Sequence, residues 1–147
     1  MKIALVCSPG GHLTEMLQLM EAFEGHDVFF ITHKHKRTLG LTYRKYLVGD
    51  VGASPISLVR AFPSLLRVLL KERPDIMLST GDAVAVPSFL LAKAFGIPTI
   101  YIESWSKVNT TSGTGRLVYR FADEFLVQWP QLKEVYGDKA RYEGAVI

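Results

Sequence analysis

The sequence predicts an α/β fold in which a parallel sheet is covered by helices on both faces. Three observations carry that prediction. Short apolar runs alternate with longer helical patterns almost from end to end. Those runs are too continuous to leave one face wet, as strands buried on both sides require. Glycine, histidine, hydroxyls and charge collect in the loops after the runs, while the loops before them are plain, and open parallel sheets bind ligands at the carboxyl ends of their strands.

Taken in order, Ile3 to Cys7 reads as a buried strand, and His12 to Phe23 as a helix with Leu13, Met16, Leu17, Met20 and Phe23 on one face. Val28 to Thr32 is a second strand. The stretch from Leu39 to Pro55 is broken by Gly40, Gly49, Gly52 and Pro55, and is expected to hold a short helix and an edge strand. Leu58, Phe62, Leu65, Leu66 and Leu69 mark a helix over Ile56 to Arg73, which stops before Pro74; Pro63 either kinks it or marks its start. Asp75 to Thr80 is a strand, and Ala83 to Phe95 a helix closed by Gly96. Pro98 to Glu103 is the next strand, followed by a polar loop from Ser104 to Gly113. Gly115 to Ala122 reads as helix, Glu124 to Gln128 as strand, and Pro130 to Tyr136 as a short helix with proline at its start. Tyr142 to Ile147 begins one more strand. With no repeat, low-complexity tract or internal linker, residues 1–147 read as one domain with one sizeable core.

Composition narrows the function classes. A hydrophobic fraction of 48% and a charged fraction of 21% exclude wholesale disorder. Cys7 is the only cysteine, so neither an internal disulfide nor a cysteine-based metal cluster can form, which suits a reducing compartment such as the cytoplasm. The first run is too short for a signal peptide or a span, and no apolar window reaches about 18 residues without a charge. Net charge is +3 with pI near 9.0, and the bases crowd into His33 to Arg37, Arg44 and Lys45, and again into Arg60, Arg67, Lys71 and Arg73. Such clusters suit nucleic acid, phosphorylated substrates or anionic lipid, or are simply a solvated surface.

The strand ends put the working face at Ser8 to His12, His33 to Arg37, Gly81-Asp82, Glu103 to Gly113 and Trp129. Ser8-Pro9-Gly10-Gly11-His12 is a strand–glycine turn–helix junction, whose free N–H groups and positive dipole end suit a phosphate or diphosphate. It is not G-x-G-x-x-G, no acidic residue ends the second strand to hold a ribose, and no lysine follows as in a P-loop. No nucleotide cofactor is therefore expected. A neutral His12 at the helix start can act as general base toward a hydroxyl, or merely cap or pack. Asp82 and Glu103 can orient that histidine or bind sugar hydroxyls; alternatively Asp82 caps the Ala83 helix and Glu103 pairs with a neighbouring base. His33 and His35 have no carboxylate cluster beside them, so no metal site is expected. The Ile56 to Arg73 helix is apolar with bases beside it, as a sheet-covering helix or a membrane-docking helix would be.

Three stretches, "SPGGHLTEML", "STGDAVAVPSFLLAKAFGIPTIYIES" and "GRLVYRFADEFLVQWPQL", resemble the subunit that recruits and completes the UDP-GlcNAc transferase of asparagine-linked glycosylation. They equally resemble its bacterial relatives in capsule and exopolysaccharide synthesis. The glycine turn and the second stretch are also similar to the amino-terminal half of the enzyme that forms peptidoglycan lipid II. The resemblance runs in order over nearly the whole chain and is weakest from Leu39 to Pro55.

This resemblance implies the Rossmann-like, amino-terminal, acceptor-binding half of a GT-B glycosyltransferase split between two polypeptides. A separate donor-binding subunit would present the UDP-sugar, forming a heterodimer without which this chain is inactive. The acceptor would be a polyprenyl-diphosphate-linked sugar, with transfer inverting and metal-independent, and no nucleic acid partner is implied. Ser8, Gly10 and Gly11 would meet the acceptor with His12 as base. Glu103 would be a second catalytic group, and Gly81, Asp82 and Ser104 would line the pocket. Arg60, Phe62, Leu66, Arg67 and Leu70 would touch an anionic membrane surface. The eukaryotic subunit carries an amino-terminal membrane helix that this sequence does not display, so the expected attachment is peripheral, on the cytoplasmic face. The alternative is an adaptor that recruits a catalytic partner to the membrane and does no chemistry itself.

Overall fold

Odd and even residues of the first strand go to opposite cores. In the computed structural model, which describes residues 1–49 and 54–146, Ile3, Leu5 and Cys7 of β1 (Lys2–Cys7) pack on one face of the sheet and Ala4 and Val6 on the other. Both sets are buried, so the period-2 alternation of side chains gives a strand with no wet face. Leu13 and Met16 of α1 (Gly11–Gln18) join the first core. The second core is filled by Ala61, Leu65, Val68 and Leu69 of α3 (Pro55–Glu72) and by Ala85, Val86, Phe89 and Ala92 of α4 (Ala85–Ala94).

The remaining elements are β2 (Asp27–His33), α2 (Lys36–Leu39), β3 (Lys45–Val48), β4 (Ile76–Gly81), β5 (Thr99–Ile102), α5 (Gly113–Val118), β6 (Glu124–Val127), α6 (Pro130–Tyr136) and β7 (Ala140–Tyr142). The seven strands form one sheet in the order β3-β2-β1-β4-β5-β6-β7, and every pairing is parallel. This is a Rossmann-like order, as the sequence and its resemblance lead one to expect. The order reverses between β1 and β4, so the loops after these two strands diverge and leave a crevice there.

Several boundaries differ from the sequence reading. The first helix is α-helical only to Gln18; a 3₁₀ turn (Met20–Phe23) continues it, keeping Met20 and Phe23 against the same core. The fifth helix starts at Gly113 because the Ser112 side chain caps it, accepting from Gly115 N–H at 2.8 Å. The stretch after Leu39 holds the edge strand β3, but its short helix, α2, comes before it. Pro63 neither starts nor breaks α3, which runs through it. The carbonyl of Val59 loses its helical N–H partner to that proline, but Val59 and Pro63 both lie on the exposed face. β7 is Ala140–Tyr142, so the strand expected from Tyr142 onward meets it at that residue alone; residues 143–146 form no strand, and the exposed Arg141, paired with Glu124 of β6, masks the true one. Gly52 and the end of the last run at Ile147 lie outside the described residues.

Candidate active site

His12 sits at the start of α1, over the crevice between β1 and β4. Its Nδ1 donates to the Thr80 carbonyl at 2.9 Å, and the Thr80 hydroxyl donates back to the His12 carbonyl at 2.6 Å. A carbonyl only accepts, so Nδ1 carries a proton, and in the neutral ring Nε2 keeps its lone pair. Gly81 makes this fit possible. It lies at φ +129, and a Cβ there would stand 2.7 Å from His12 Nδ1 and Cε1. Gly10 and Gly11 are open instead: a Cβ at either would meet nothing within 4 Å, so packing does not demand these glycines.

Two cavities meet at this histidine. The larger, of about 930 Å³, is lined by His12, Asp82 and Tyr101 together with groups from the 104–112 loop, α4 and α5. The smaller, of about 390 Å³, runs past Gly11, His12 and Thr14 to Trp105. Ser104 and Ser106 line both. Ser8 is half-buried at the end of β1, and Gly10 gives its carbonyl to Arg37 Nη1 at 3.0 Å; the same nitrogen donates to the Pro9 carbonyl at 3.2 Å. Arg37 thus ties α2 to the glycine turn.

Asp82 has a different partner from those the sequence suggested. Its Oδ2 lies 3.3 Å from His33 Nε2, not beside His12, and α4 begins at Ala85 with no side-chain cap, so Asp82 is not that helix's cap. The neighbouring His33 holds the Asp82 carboxyl below the usual carboxylate range. Asp82 is one of two non-glycine residues with positive φ, at +87, among the described residues. A strained residue at the end of a switch-point strand aims its side chain into the cavity rather than along the sheet.

Glu103, expected as a second catalytic group, lines neither cavity and is 0% exposed. Its oxygens accept from Ser104 N–H at 3.0 Å, from Ser112 N–H at 3.1 Å, from the Ser112 hydroxyl at 2.9 Å and from the Tyr136 hydroxyl. The pairing is with hydroxyls and amides, not with a base. This carboxylate pins both ends of the 104–112 loop and joins β5, α5 and α6. Burial, then Glu103 itself, push the Tyr136 phenol up, so it remains a donor. Burial does the same to Tyr101, on the cavity floor.

The sequence reading missed Glu15. It is 3% exposed; its Oε1 accepts from Trp105 N–H at 2.6 Å and from Gln128 Nε2 at 3.1 Å. Oε2 has no hydrogen-bond partner and lies 4.0 Å from His12 Nδ1. Burial raises the Glu15 carboxyl above its ordinary value. Its position three residues after His12, on the same face of α1, was the available signal.

Of the expected membrane contacts, Arg60, Leu66, Arg67 and Leu70 are exposed and Phe62 is half-buried. Ile56 and Val59, 65% and 64% exposed, extend them into one stripe along α3 at helical spacing. No helix among the described residues is long and apolar enough to cross a membrane.

Residues 42–146 match the family described as "Oligosaccharide biosynthesis protein Alg14 like". The Homo sapiens UDP-N-acetylglucosamine transferase subunit ALG14 is 28% identical over 182 aligned residues, covering 100% of this chain and 83% of the human one. Among solved structures, Acinetobacter baumannii MurG superposes with a TM-score of 0.81 at 19% identity, over 99% of this chain and 45% of that one. A UDP-N-acetylglucosamine 2-epimerase from Rickettsia bellii gives 0.74 at 15% identity, again over 99% and 45%. The chain therefore spans about half the length of these solved structures. At such identities they show the fold alone, and a fold shared by a MurG and an epimerase does not name the reaction.

Proposed function

The chain belongs to the Alg14-like family of oligosaccharide biosynthesis proteins, and on that footing we propose that it is the acceptor-binding subunit of a two-part glycosyltransferase. A separate donor-binding subunit holds a UDP-sugar, UDP-GlcNAc or another hexose donor, and the acceptor is a sugar linked to a polyprenyl diphosphate. The word "subunit" in the curated relative's name supports the partner, and "UDP-N-acetylglucosamine transferase" the donor class.

The observation that carries the reading is the tautomer of His12. Its Nδ1–H is spent on Thr80, so Nε2 is free to take the proton of an acceptor hydroxyl in the adjoining cavity. The oxygen then attacks the anomeric carbon of the donor, that bond to the UDP oxygen breaks, and UDP leaves with the pair. His12 afterwards gives its proton to solvent. Gly11 and Ser104 flank the acceptor, Gly81 makes room for the imidazole, Asp82 lines the cavity while paired with His33, and Glu103 acts by positioning the loop. The exposed stripe of α3, apolar with Arg60 and Arg67 beside it, supports peripheral docking on an anionic cytoplasmic membrane face.

Sugar transfer to a lipid-diphosphate acceptor, with each chain alone and with both, tests the proposal. Transfer by the pair only is expected. Transfer by this chain alone, or tight UDP-sugar binding by it in isolation, would overturn it.

A further inference from the structure

Gln128 directly follows β6, is 3% exposed and lines neither cavity, yet its amide is fully used. Nε2 donates to Glu15 Oε1 at 3.1 Å and to the Glu103 carbonyl at 2.9 Å, while Oε1 accepts from Val146 N–H at 2.8 Å. One orientation of the amide fits that set, because two acceptors need the NH₂ group and the Val146 N–H needs the oxygen. The side chain thereby joins α1, the end of β5 and the segment after β7. Trp129, the next residue, reaches the same place by another route. Its Nε1 donates to the Trp105 carbonyl at 2.6 Å, and Trp105 N–H donates to Glu15 Oε1 at 2.6 Å.

Glu15 Oε1 thus accepts two hydrogen bonds, which fix the plane of the carboxyl. Oε2 is left without a hydrogen-bond partner, 4.0 Å from His12 Nδ1. Burial is the largest influence on this carboxyl and favours its neutral form; the Trp105 N–H and the Gln128 amide oppose it and favour the charged one. The other two acidic groups nearby are committed elsewhere, Asp82 to His33 and Glu103 to Ser104, Ser112 and Tyr136. We propose that Gln128 is a positioning residue for the reaction at His12, holding the Glu15 carboxyl so that its remaining oxygen faces the imidazole. It touches no reacting atom. The assignment rests on the reading of His12 as base given above, whereas the link from Gln128 to Glu15 rests on the hydrogen bonds alone.

Two measurements test it, one on the intact chain alone and one on the reconstituted pair. Gln128→Met keeps the length of the side chain and removes the amide. In the chain alone, the midpoint of the Glu15 carboxyl, followed by ¹³C NMR, should move up, because a donor to the charged form is lost. In the pair, kcat should fall about fivefold or more at unchanged KM for both substrates. The same substitution made in a Glu15→Gln background should cost less than about twofold, since Gln128 acts through that carboxylate. A merely structural role gives the full loss in both backgrounds. Gln131→Met, exposed on α6, should change neither measurement. Gln128→Glu keeps the acceptor for Val146 N–H and turns an oxygen toward Glu15, so it should raise the Glu15 midpoint further and serves where the Met variant does not fold. An unmoved midpoint, or equal losses of kcat in the two backgrounds, would overturn the proposal. A raised midpoint without transfer by any reconstituted pair would leave the link between Gln128 and Glu15 standing and sink the transferase reading.

Discussion

One buried carboxylate stands beside the histidine proposed as base. Glu15 Oε2 is 4.0 Å from His12 Nδ1 and has no hydrogen-bond partner, so under the proposed mechanism it acts through charge on the imidazolium formed when Nε2 takes a proton. Glu15→Gln keeps the acceptor for Trp105 N–H and removes the charge. Transfer by the reconstituted pair should fall about tenfold or more at unchanged acceptor KM. Because burial raises the Glu15 carboxyl, ionising it costs the folded state stability as pH climbs through that raised value. The melting temperature of the variant at pH 8 should therefore be no lower than wild type, which separates an electrostatic role from a structural one. Gly81→Ala should fail in both respects. Its Cβ strikes the His12 ring and its φ is strained, so we expect a loss of about 1–3 kcal/mol by urea unfolding together with lost transfer. At this scale the sequence made His12, Gly81 and the glycine turn legible, because a special backbone or a polar residue at a strand end stands out. Glu15, Tyr136 and Gln128 were not legible: their importance lies in contacts spanning 25 to 113 residues of sequence, on which periodicity is silent.

The elements were read well where a helix or strand has a single buried stripe, and less well where polar contacts set its ends. Leu65, Val68 and Leu69 fix α3 through burial, and the helix was legible despite Pro63. The start of α5 depends on Ser112, which caps Gly115 while donating to Glu103. That double use explains Gly115, where any Cβ would collide with Tyr136 Oη, Glu103 Oε2 and Ser112 Oγ. Tyr136→Phe removes one of the donors that hold the buried Glu103 carboxylate and should cost about 1–3 kcal/mol in a urea titration. Its effect on transfer should follow from a loosened 104–112 loop and appear in KM as well as kcat. On α3, Arg60→Glu/Arg67→Glu should release the chain from anionic vesicles in co-sedimentation, leaving neutral vesicles unaffected. Binding that survives the swap would remove α3 as the docking surface.

For the whole molecule, the sheet order puts the candidate site at one end and a cluster of paired structural charges at the other. The crevice between β1 and β4 receives His12, Asp82 and the 104–112 loop, while the opposite end holds Glu72 between Lys2, Arg44 and Tyr46. Burial opposes ionisation of Glu72, but the Tyr46 hydroxyl, Arg44 and Lys2 outweigh it and hold its carboxyl below the usual range. A carboxyl depressed in the folded state adds stability that is complete above its unfolded value of 4.5 and is lost as pH falls through the folded one. Unfolding midpoints of the wild type should thus drop below about pH 4.5 more steeply than those of Glu72→Gln. The α/β class was legible from the alternation of elements, since parallel strands must be buried on both faces. That Lys107, Arg116 and Arg120 line one cavity was not legible, because the 104–112 loop and α5 come together only in the fold. The central claim is that His12 is the base of a transferase whose other half is a separate chain. Its most direct test is the transfer rate of the purified heterodimer carrying His12→Ala. A fall of about 10²- to 10⁴-fold is expected with the heterodimer still assembled, and a near-wild-type rate would contradict the account.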